Sequence, residues 1–332
     1  MSGSAATAKQ DEAKTITSVE ISSRGKWSTV PALDIGTKAI IVRGKRLKTA
    51  IIHDEEWLAT EVEDPELCIQ KLRAQSAGGL RADIFMFAQK LPATQPKYSY
   101  PLEWDSVAAA PTSNFKAWWD SLPQETRKNV RRAQKRGVEI KVQQGLDDKL
   151  IQGIAAVNNE SPMRQRIPNV HYGKSLEQVW KDQTPFSDRT DFICAYFGEE
   201  LIGFLRLVYR GEIASILQIL PKNAHFDKRP TNALIAKAVE LCEAKGISYL
   251  TYGMFNYGNK KDSPLREFKI RNGFREILVP RYVVPLTHWG ALCVKLNLHR
   301  GHLGLLPHSM IVLGGNLRAR WYNWKHQSAG VA

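Results

Sequence analysis

Several stretches of this chain carry residues whose types and spacing could do chemistry. One is a polar loop, Glu160-Ser161-Pro162-Met163-Arg164-Gln165-Arg166, that leads on to His171-Tyr172. Arg164, Arg166, His171 and Tyr172 suit a grip on an anionic or sugar-bearing group. Glu160 becomes a general base if burial beside apolar neighbours raises its pKa; the plain alternative is a surface charge at a helix end. A second stretch is the basic turn Lys222 to Arg229, placed just ahead of Pro230. Unpaired N–H groups and the helix dipole make such a turn a place for an anion. A third, Tyr252-Gly253-Met254-Phe255-Asn256-Tyr257-Gly258, follows an apolar run, where open α/β sheets tend to place ligands. Asn256 and Tyr257 are its candidate polar contacts, against the competing view of a simple turn whose glycines serve the backbone. A fourth, Arg127 to Arg136, holds six cations and no acid. Like charges four apart destabilise an isolated helix, and a polyanion such as tRNA offsets that, unless the run is only a solvated face. With no stacking aromatics inside it, the run does not point to sequence-specific reading of bases. No G-x-S-x-G elbow and no H-E-x-x-H helix occurs, so serine-hydrolase and zinc-protease chemistry are not indicated and no metal is called for.

The elements that must position these residues are legible around the basic turn. Ile213 to Leu220 is a near-continuous apolar run, as expected of a strand covered on both faces. Pro230 sits where a helix begins, Leu234, Ile235, Ala238, Leu241 and Cys242 share one face of it, and Gly246 ends it. Ile247 to Tyr252 reads as the next buried strand, and a short helix closes on Leu265-Arg266-Glu267-Phe268-Lys269-Ile270-Arg271-Asn272-Gly273-Phe274. Upstream, Asn114 caps a helix through Trp118-Trp119, Gly137 ends the cationic helix, and Val138 to Val142 is a strand. Leu146 to Asn159 and Ser175 to Asp182 read as helices. Phe192 to Phe197 and Leu201 to Val208 form a hairpin across Gly198-Glu199-Glu200, and Ile277 to Pro285 ends the sheet.

This order resembles the acyl-carrier half of the GNAT acyltransferase superfamily, and Asn272-Gly273-Phe274 resembles its terminal helix-to-strand turn. Leu265…Phe268-Lys269…Gly273 more closely resembles the FemAB-like branch, whose enzymes transfer acyl or aminoacyl groups onto amines, and the likeness reaches upstream over Phe115 to Tyr172. The resemblance implies an α/β fold, a GNAT-like mixed sheet with flanking helices, preceded by a smaller α/β lobe. It implies acyl or aminoacyl transfer to an amine, on a cell-envelope or polysaccharide precursor. It places Lys269 at the transfer centre, where an ammonium holds the donor carbonyl or phosphate; the alternative is a solvated Lys on a helix that turns Leu265, Phe268 and Ile270 inward. It makes the loop from Glu160 to Tyr172 the acceptor side. The donor's pyrophosphate would meet Lys228, Arg229, Thr231 and Asn232. Where the superfamily's turn carries glycines this one has none, which holds a pyrophosphate further off, so acyl-CoA and aminoacyl-tRNA both stand as donors. A degenerate, non-catalytic lobe binding tRNA, anionic glycan or membrane assembly machinery is the alternative function.

The 332 residues suffice for one large or two medium domains, and a formal charge of +14 suggests acidic partners. Residues 1–14 are expected to be disordered, 15–105 to form the smaller lobe, and 106–287 the acyltransferase-like domain. In the smaller lobe, Ile16 to Ile21, Ala39 to Val42, Leu47 to Ile52 and Ala82 to Gln89 read as strands and Glu66 to Gln75 as a helix; Leu91 to Pro101, with three prolines, reads as a linker. Residues 288–332 mix Trp289, Leu292, Leu296, Trp321 and Trp324 with Lys295, Arg300, Arg318 and Arg320. That mixture fits either a packed helical hairpin or an interfacial anchor on anionic lipid. Scattered cysteines and a polar N-terminus point to a cytoplasmic chain, with peripheral contact at the inner membrane face through the tail.

Overall fold

The computed structural model describes residues 16–300, apart from 24, 76–79, 165–166 and 258–262. In chain order the strands and helices are β1 (Ile16–Ser23), β2 (Lys26–Asp34), β3 (Ala39–Arg43), β4 (Thr49–Ile52), α1 (Pro65–Ala74), β5 (Ile84–Ala88), β6 (Leu102–Pro111), α2 (Phe115–Ser121), α3 (Gln124–Lys135), β7 (Val138–Gln144) and α4 (Asp148–Asn158). There follow the short β8 (Met163–Arg164) and β9 (Ile167–Pro168), α5 (Leu176–Gln183), β10 (Thr190–Phe197), β11 (Glu200–Arg210), β12 (Ile213–Pro221), α6 (Pro230–Ala244), β13 (Tyr249–Met254), α7 (Pro264–Arg271), β14 (Arg275–Pro285) and α8 (His288–Lys295). Among the described residues, 16–105 with 278–300 form one compact unit and 106–277 another.

In the first unit the strand order is β1-β2-β3-β4-β5-β14. The first four strands form an antiparallel meander; α1 then carries the chain to β5, which runs parallel to β4, and β14 pairs antiparallel with β5. Asp64 starts α1 by accepting the Leu67 N–H at 2.9 Å, and Pro65 occupies the first turn, where its missing donor does no harm. Leu33, Ile40, Ala50, Ile69, Leu72, Phe85 and Phe87 fill the core between sheet and helix.

The run from Leu91 to Pro101 is not a linker. Its Tyr98 and Tyr100 rings pack on Phe87, centroids 5.9 and 6.2 Å away, and on Tyr282. The Lys97 and Tyr98 N–H groups both donate to the Tyr282 hydroxyl, at 2.7 and 3.1 Å. The sequence boundary at residue 287 also moves: from Leu278 onward β14 belongs to the first unit, because it pairs with β5 from Arg281↔Ala88 to Pro285↔Ile84. The start of the basic, aromatic tail forms α8 in that same unit, where Thr287 caps it and donates to Asp83 at 3.0 Å. The remainder of the tail and the first 15 residues lie outside the described residues.

The second unit repeats this succession. Its order is β6-β13-β12-β11-β10-β7: an antiparallel meander from β7 to β12, a crossover through α6, and β13 parallel to β12. Its last partner, β6, pairs antiparallel with β13. Helices α2, α3 and α6 cover one face, over a core that includes Trp118, Ala133, Leu205, Leu234 and Val239. Helices α4 and α5 cover the other, over Ile154, Val179, Phe192 and Phe204. The central strands are therefore buried on both sides, which is why they read as unbroken apolar runs. The cysteines Cys68, Cys194, Cys242 and Cys293 are all free and buried.

Candidate functional site

The two parallel strands of the second unit part early. β12 and β13 pair only from Ile213↔Tyr249 to Ser215↔Thr251, where the buried Ser215 and Thr251 hydroxyls meet at 2.5 Å. Beyond that point β12 runs on to Pro221 while β13 shifts register against β6 between Thr251 and Met254. Gly253 makes the irregularity possible: its φ is +56°, and a Cβ there would stand 2.8 Å from the Tyr257 hydroxyl oxygen. Irregularities of this kind re-aim side chains at strand ends.

Lys269 points into this region. Ser263 caps α7 by accepting the Arg266 N–H, Pro264 fills the first turn, and Lys269 on the second turn is fully buried. Its ammonium donates to the Met254 carbonyl at 2.6 Å and stands 4.8 Å from the Tyr252 ring centroid and 4.9 Å from that of Tyr257. Burial pushes the Tyr252 hydroxyl up to about 12, so that ring is a neutral wall at neutral pH. The solvated-lysine alternative fails, because Lys269 faces in and Ile270, read as inward, is 39% exposed.

Asn256 joins a polar cluster that the sequence did not announce. Its side-chain amide donates to Glu276 at 2.8 Å and to the Ser106 hydroxyl at 3.3 Å, and Ser106 donates to the same Glu276 oxygen at 2.6 Å. The Asn256 side-chain amide oxygen, Oδ1, is buried and has no hydrogen-bond partner among the described residues. Tyr257, half exposed, lies over Lys269 at the edge of the undescribed residues 258–262. Ser106 and Glu276 come from β6 and β14, more than 100 residues apart in sequence, so only the strand pairing reveals them.

The loop from Glu160 to Tyr172 is built differently from the expectation. Both Glu160 carboxylate oxygens are taken by the backbone, accepting from Asn223 at 2.7 Å and Ala224 at 2.9 Å, with the Arg164 guanidinium at 3.5 Å. It caps the 3-10 turn Asn223–Lys228 rather than standing ready as a base. Arg164 is a strut: it donates to the carbonyls of Pro221 at 2.9 Å and Val157 at 2.7 Å. Burial, with the Lys174 ammonium behind it, holds the His171 imidazole below its usual pKa, so at neutral pH it is not a cationic grip. Tyr172 is half exposed, and Arg166 lies outside the described residues.

The residues expected to meet a pyrophosphate are largely engaged within the chain. Lys228 lies over the Phe197 ring at 4.6 Å and 3.6 Å from Asp227. Arg229 adopts φ 57°, turning the chain into α6. Asn232 donates to Asn272 at 3.0 Å, and Asn272 in turn to the Phe268 carbonyl at 2.8 Å, so this pair fixes α6 to the end of α7. Thr231 is half buried in the first turn of α6. With Asn223 and Ala224 already capped by Glu160, the turn supplies its own anion where one was expected from outside.

On α3, Arg136 reaches the Asp227 carbonyl and carboxylate, at 2.5 and 3.0 Å, and Arg131 stands over Trp119 at 5.6 Å. No group of three or more His, Cys, Asp or Glu side chains suited to a metal occurs among the described residues. No helix among them is long and apolar enough to cross a membrane.

No family model and no curated protein matches this sequence. Among solved structures, the chain is similar to one described as the C-terminal domain of a lysylphosphatidylglycerol synthetase from Agrobacterium fabrum: identity is 14%, TM-score 0.53, over 78% of this chain and 83% of that one. It is similar to L-PGS from Bacillus licheniformis at 14% identity and TM-score 0.51, over 81% and 86%. FemX aligns at 11% identity and TM-score 0.45, over 83% and 90%. At such identities the likeness is one of fold. The α/β class expected from the sequence, a large mixed sheet with flanking helices, is the fold found.

Proposed function

We propose that this chain is an acyltransferase that moves an acyl or aminoacyl group from an activated donor onto an amine, with Lys269 at the transfer centre. The observation that carries the reading is the enclosure of a lysine at the parting of β12 and β13, its ammonium set between the Met254 carbonyl and two tyrosine rings. A cation in so dry a place stabilises negative charge developing on a carbonyl oxygen far better than one in water. The donor carbonyl reaches it when the Tyr257 ring swings aside. Glu276 takes over the role the sequence assigned to Glu160: its carboxylate, held by Ser106 and Asn256 beside the same loop, accepts the proton that the attacking amine must lose. The donor is acyl-CoA or aminoacyl-tRNA. The capped turn at Asn223 favours the latter, since it leaves no backbone seat for a pyrophosphate there. The acceptor is an amine on a cell-envelope or polysaccharide precursor, and the protein works on the cytoplasmic side, with the tail as peripheral membrane contact.

The test is transfer from radiolabelled acetyl-CoA, longer acyl-CoAs and aminoacyl-tRNA to amine acceptors, run on the wild type, Lys269→Met and Glu276→Gln. Loss of transfer in both variants while each still melts cooperatively is the expected result. Unchanged transfer in Lys269→Met removes that residue from the mechanism.

The same filled turn favours one second reading, a non-catalytic basic module for tRNA, anionic glycan or membrane-associated machinery. It expects polyanion binding with no transfer from any donor.

A further inference from the structure

We propose that the outer edge of β7 is the seat of a second copy of this chain, joined strand to strand about a two-fold axis at Ile140. This stands apart from the transfer reading. In the second unit's strand order β7 comes last, and among the described residues it pairs only with β10. Exposed edges in natural sheets are usually blunted by a bulge, a proline, a very short strand or charged side chains, Lys above all. β7 has only the charges, Glu139 and Lys141, so a second copy can join only in a register that sets one against the other. Its seven residues otherwise hold an unbroken register with β10, from Val138↔Phe197 to Gln144↔Asp191.

Its sequence is self-complementary. In Val138-Glu139-Ile140-Lys141-Val142 the even residues share one face, and Val142 ends that face 38% exposed. The Glu139 and Lys141 side chains lie on the other face, 3.4 Å apart and 70% and 62% exposed. Antiparallel pairing centred on Ile140 sets Val138 against Val142 of the second copy and Glu139 against Lys141 of the second copy, twice over by symmetry. Neighbouring registers fail. Sliding by two residues one way sets Lys141 opposite itself, and the other way sets Glu139 opposite itself. Sliding by one turns each strand's apolar face against the other's polar face. Parallel in-register pairing likewise sets like against like.

The helical layer provides cover for the added strand. A groove of about 920 Å³ borders β7 from Gly137 to Lys141 and is walled by Phe115, Trp119, Val130 and Ala236. Phe115, Trp119 and Val130 are partly buried against the core, while Lys116, Arg131, Lys237 and Glu240 also line the groove, so it joins the margin of the core to charged side chains beside an edge that is unpaired among the described residues. The Ile140 and Val142 side chains of the second copy would lie on the apolar part of that wall, Phe115, Trp119, Val130 and Ala236. Strand addition of this length buries less than the ~1,200 Å² of a standard interface, so the dimer is a weak one.

Sedimentation equilibrium of the full chain from about 1 to 100 µM tests this. A reversible dimer is expected. Glu139→Lys and Lys141→Glu each place like charges opposite one another at both symmetric positions, and each raises the dimer Kd at least about tenfold. The charge-swapped double variant restores it to within about threefold of wild type. Both side chains are exposed, so melting temperatures stay unchanged and confirm that the variants fold. Ile140→Cys forms an interchain disulfide on oxidation, since residues facing across the axis lie within disulfide reach. A full chain that stays monomeric throughout overturns the proposal, whether its own residues beyond 300 or another protein takes the edge. So does a double variant as weak as the singles, or a dimer that Ile140→Cys fails to cross-link.

Discussion

The Lys269 ammonium donates to the Met254 carbonyl at 2.6 Å from a side chain that solvent does not reach. Were Lys269 solvated, as the alternative reading of the sequence has it, replacing it with Ala would cost no more than a surface change. The burial reverses that expectation, because removing the donor takes a charged hydrogen bond from the part-buried Met254 carbonyl, at a cost of about 1–3 kcal/mol. Lys269→Met, which keeps most of the volume, should therefore lower the urea midpoint clearly with an unchanged m-value. A shift within the error of the measurement would mean that the lysine is not enclosed.

Glu160 and Asn223 give the second prediction. Removing a capping carboxylate costs about 0.5–2 kcal/mol, so Glu160→Ala should destabilise, and Glu160→Gln, which still accepts hydrogen bonds, should do so less. If the carboxylate is a cap and not a base, Glu160→Gln keeps its transfer rate. The vacated turn should also gain affinity for inorganic pyrophosphate, measured by calorimetry. Abolished turnover with intact stability would return Glu160 to the chemistry.

Gly273 ends α7 with φ +82°, and a Cβ there would lie 2.5 Å from the Trp118 indole nitrogen and 3.1 Å from Leu122. That nitrogen donates to the Asn272 carbonyl at 3.3 Å. Gly273→Ala therefore combines backbone strain with a clash, together about 1–3 kcal/mol or more. The Trp118 emission should report the displaced indole, and native-like fluorescence with an unchanged melting temperature would contradict the packing.

What the sequence made legible followed from burial on both faces. β10, β11, β12 and α6 are apolar because sheet and helices enclose them, and their periods announce them. β2 and β6 were not read. β2 carries Pro31 and alternating polar residues, and β6 is written in small residues, Val107-Ala108-Ala109-Ala110, that carry little β signal. The site was legible only where one segment holds it. Lys269 stood out within its motif, but Ser106 and Glu276 meet through strand pairing that local patterns do not encode. The contacts of Glu160 were hidden for a related reason. Its partners are main-chain N–H groups more than 60 residues away, and nothing in their side chains advertises them.

His171 yields a pH prediction. Burial, then the Lys174 ammonium and more weakly the Arg164 guanidinium, depress its pKa, against the Asp182 carboxylate, which raises it. Below the ordinary histidine pKa of about 6.5 the unfolded chain then binds more protons than the folded one. The contribution to stability is thus complete above that pH and is lost as pH falls below it. Denaturant midpoints at pH 7.5 and pH 5.5 should differ more for the wild type than for His171→Gln. Equal differences would place the imidazole in solvent.

The cations of α3 give the last prediction. Arg136 is tied to Asp227, and Arg132 stands 3.9 Å from Glu125 and donates to Asn129 at 3.1 Å. Arg131 sits on the Trp119 ring, and Arg127, Lys128 and Lys135 complete the run. If the helix meets tRNA, its affinity falls linearly in the logarithm of salt concentration, with a slope of about 0.7–0.9 per phosphate neutralised. Reversing Arg131 and Arg132 to Glu should weaken tRNA binding and flatten that slope by about 1.4–1.8, since two contacts are lost. A weaker affinity with an unchanged slope would mean that the two residues act through folding, and a slope near zero in the wild type would remove the polyanion altogether.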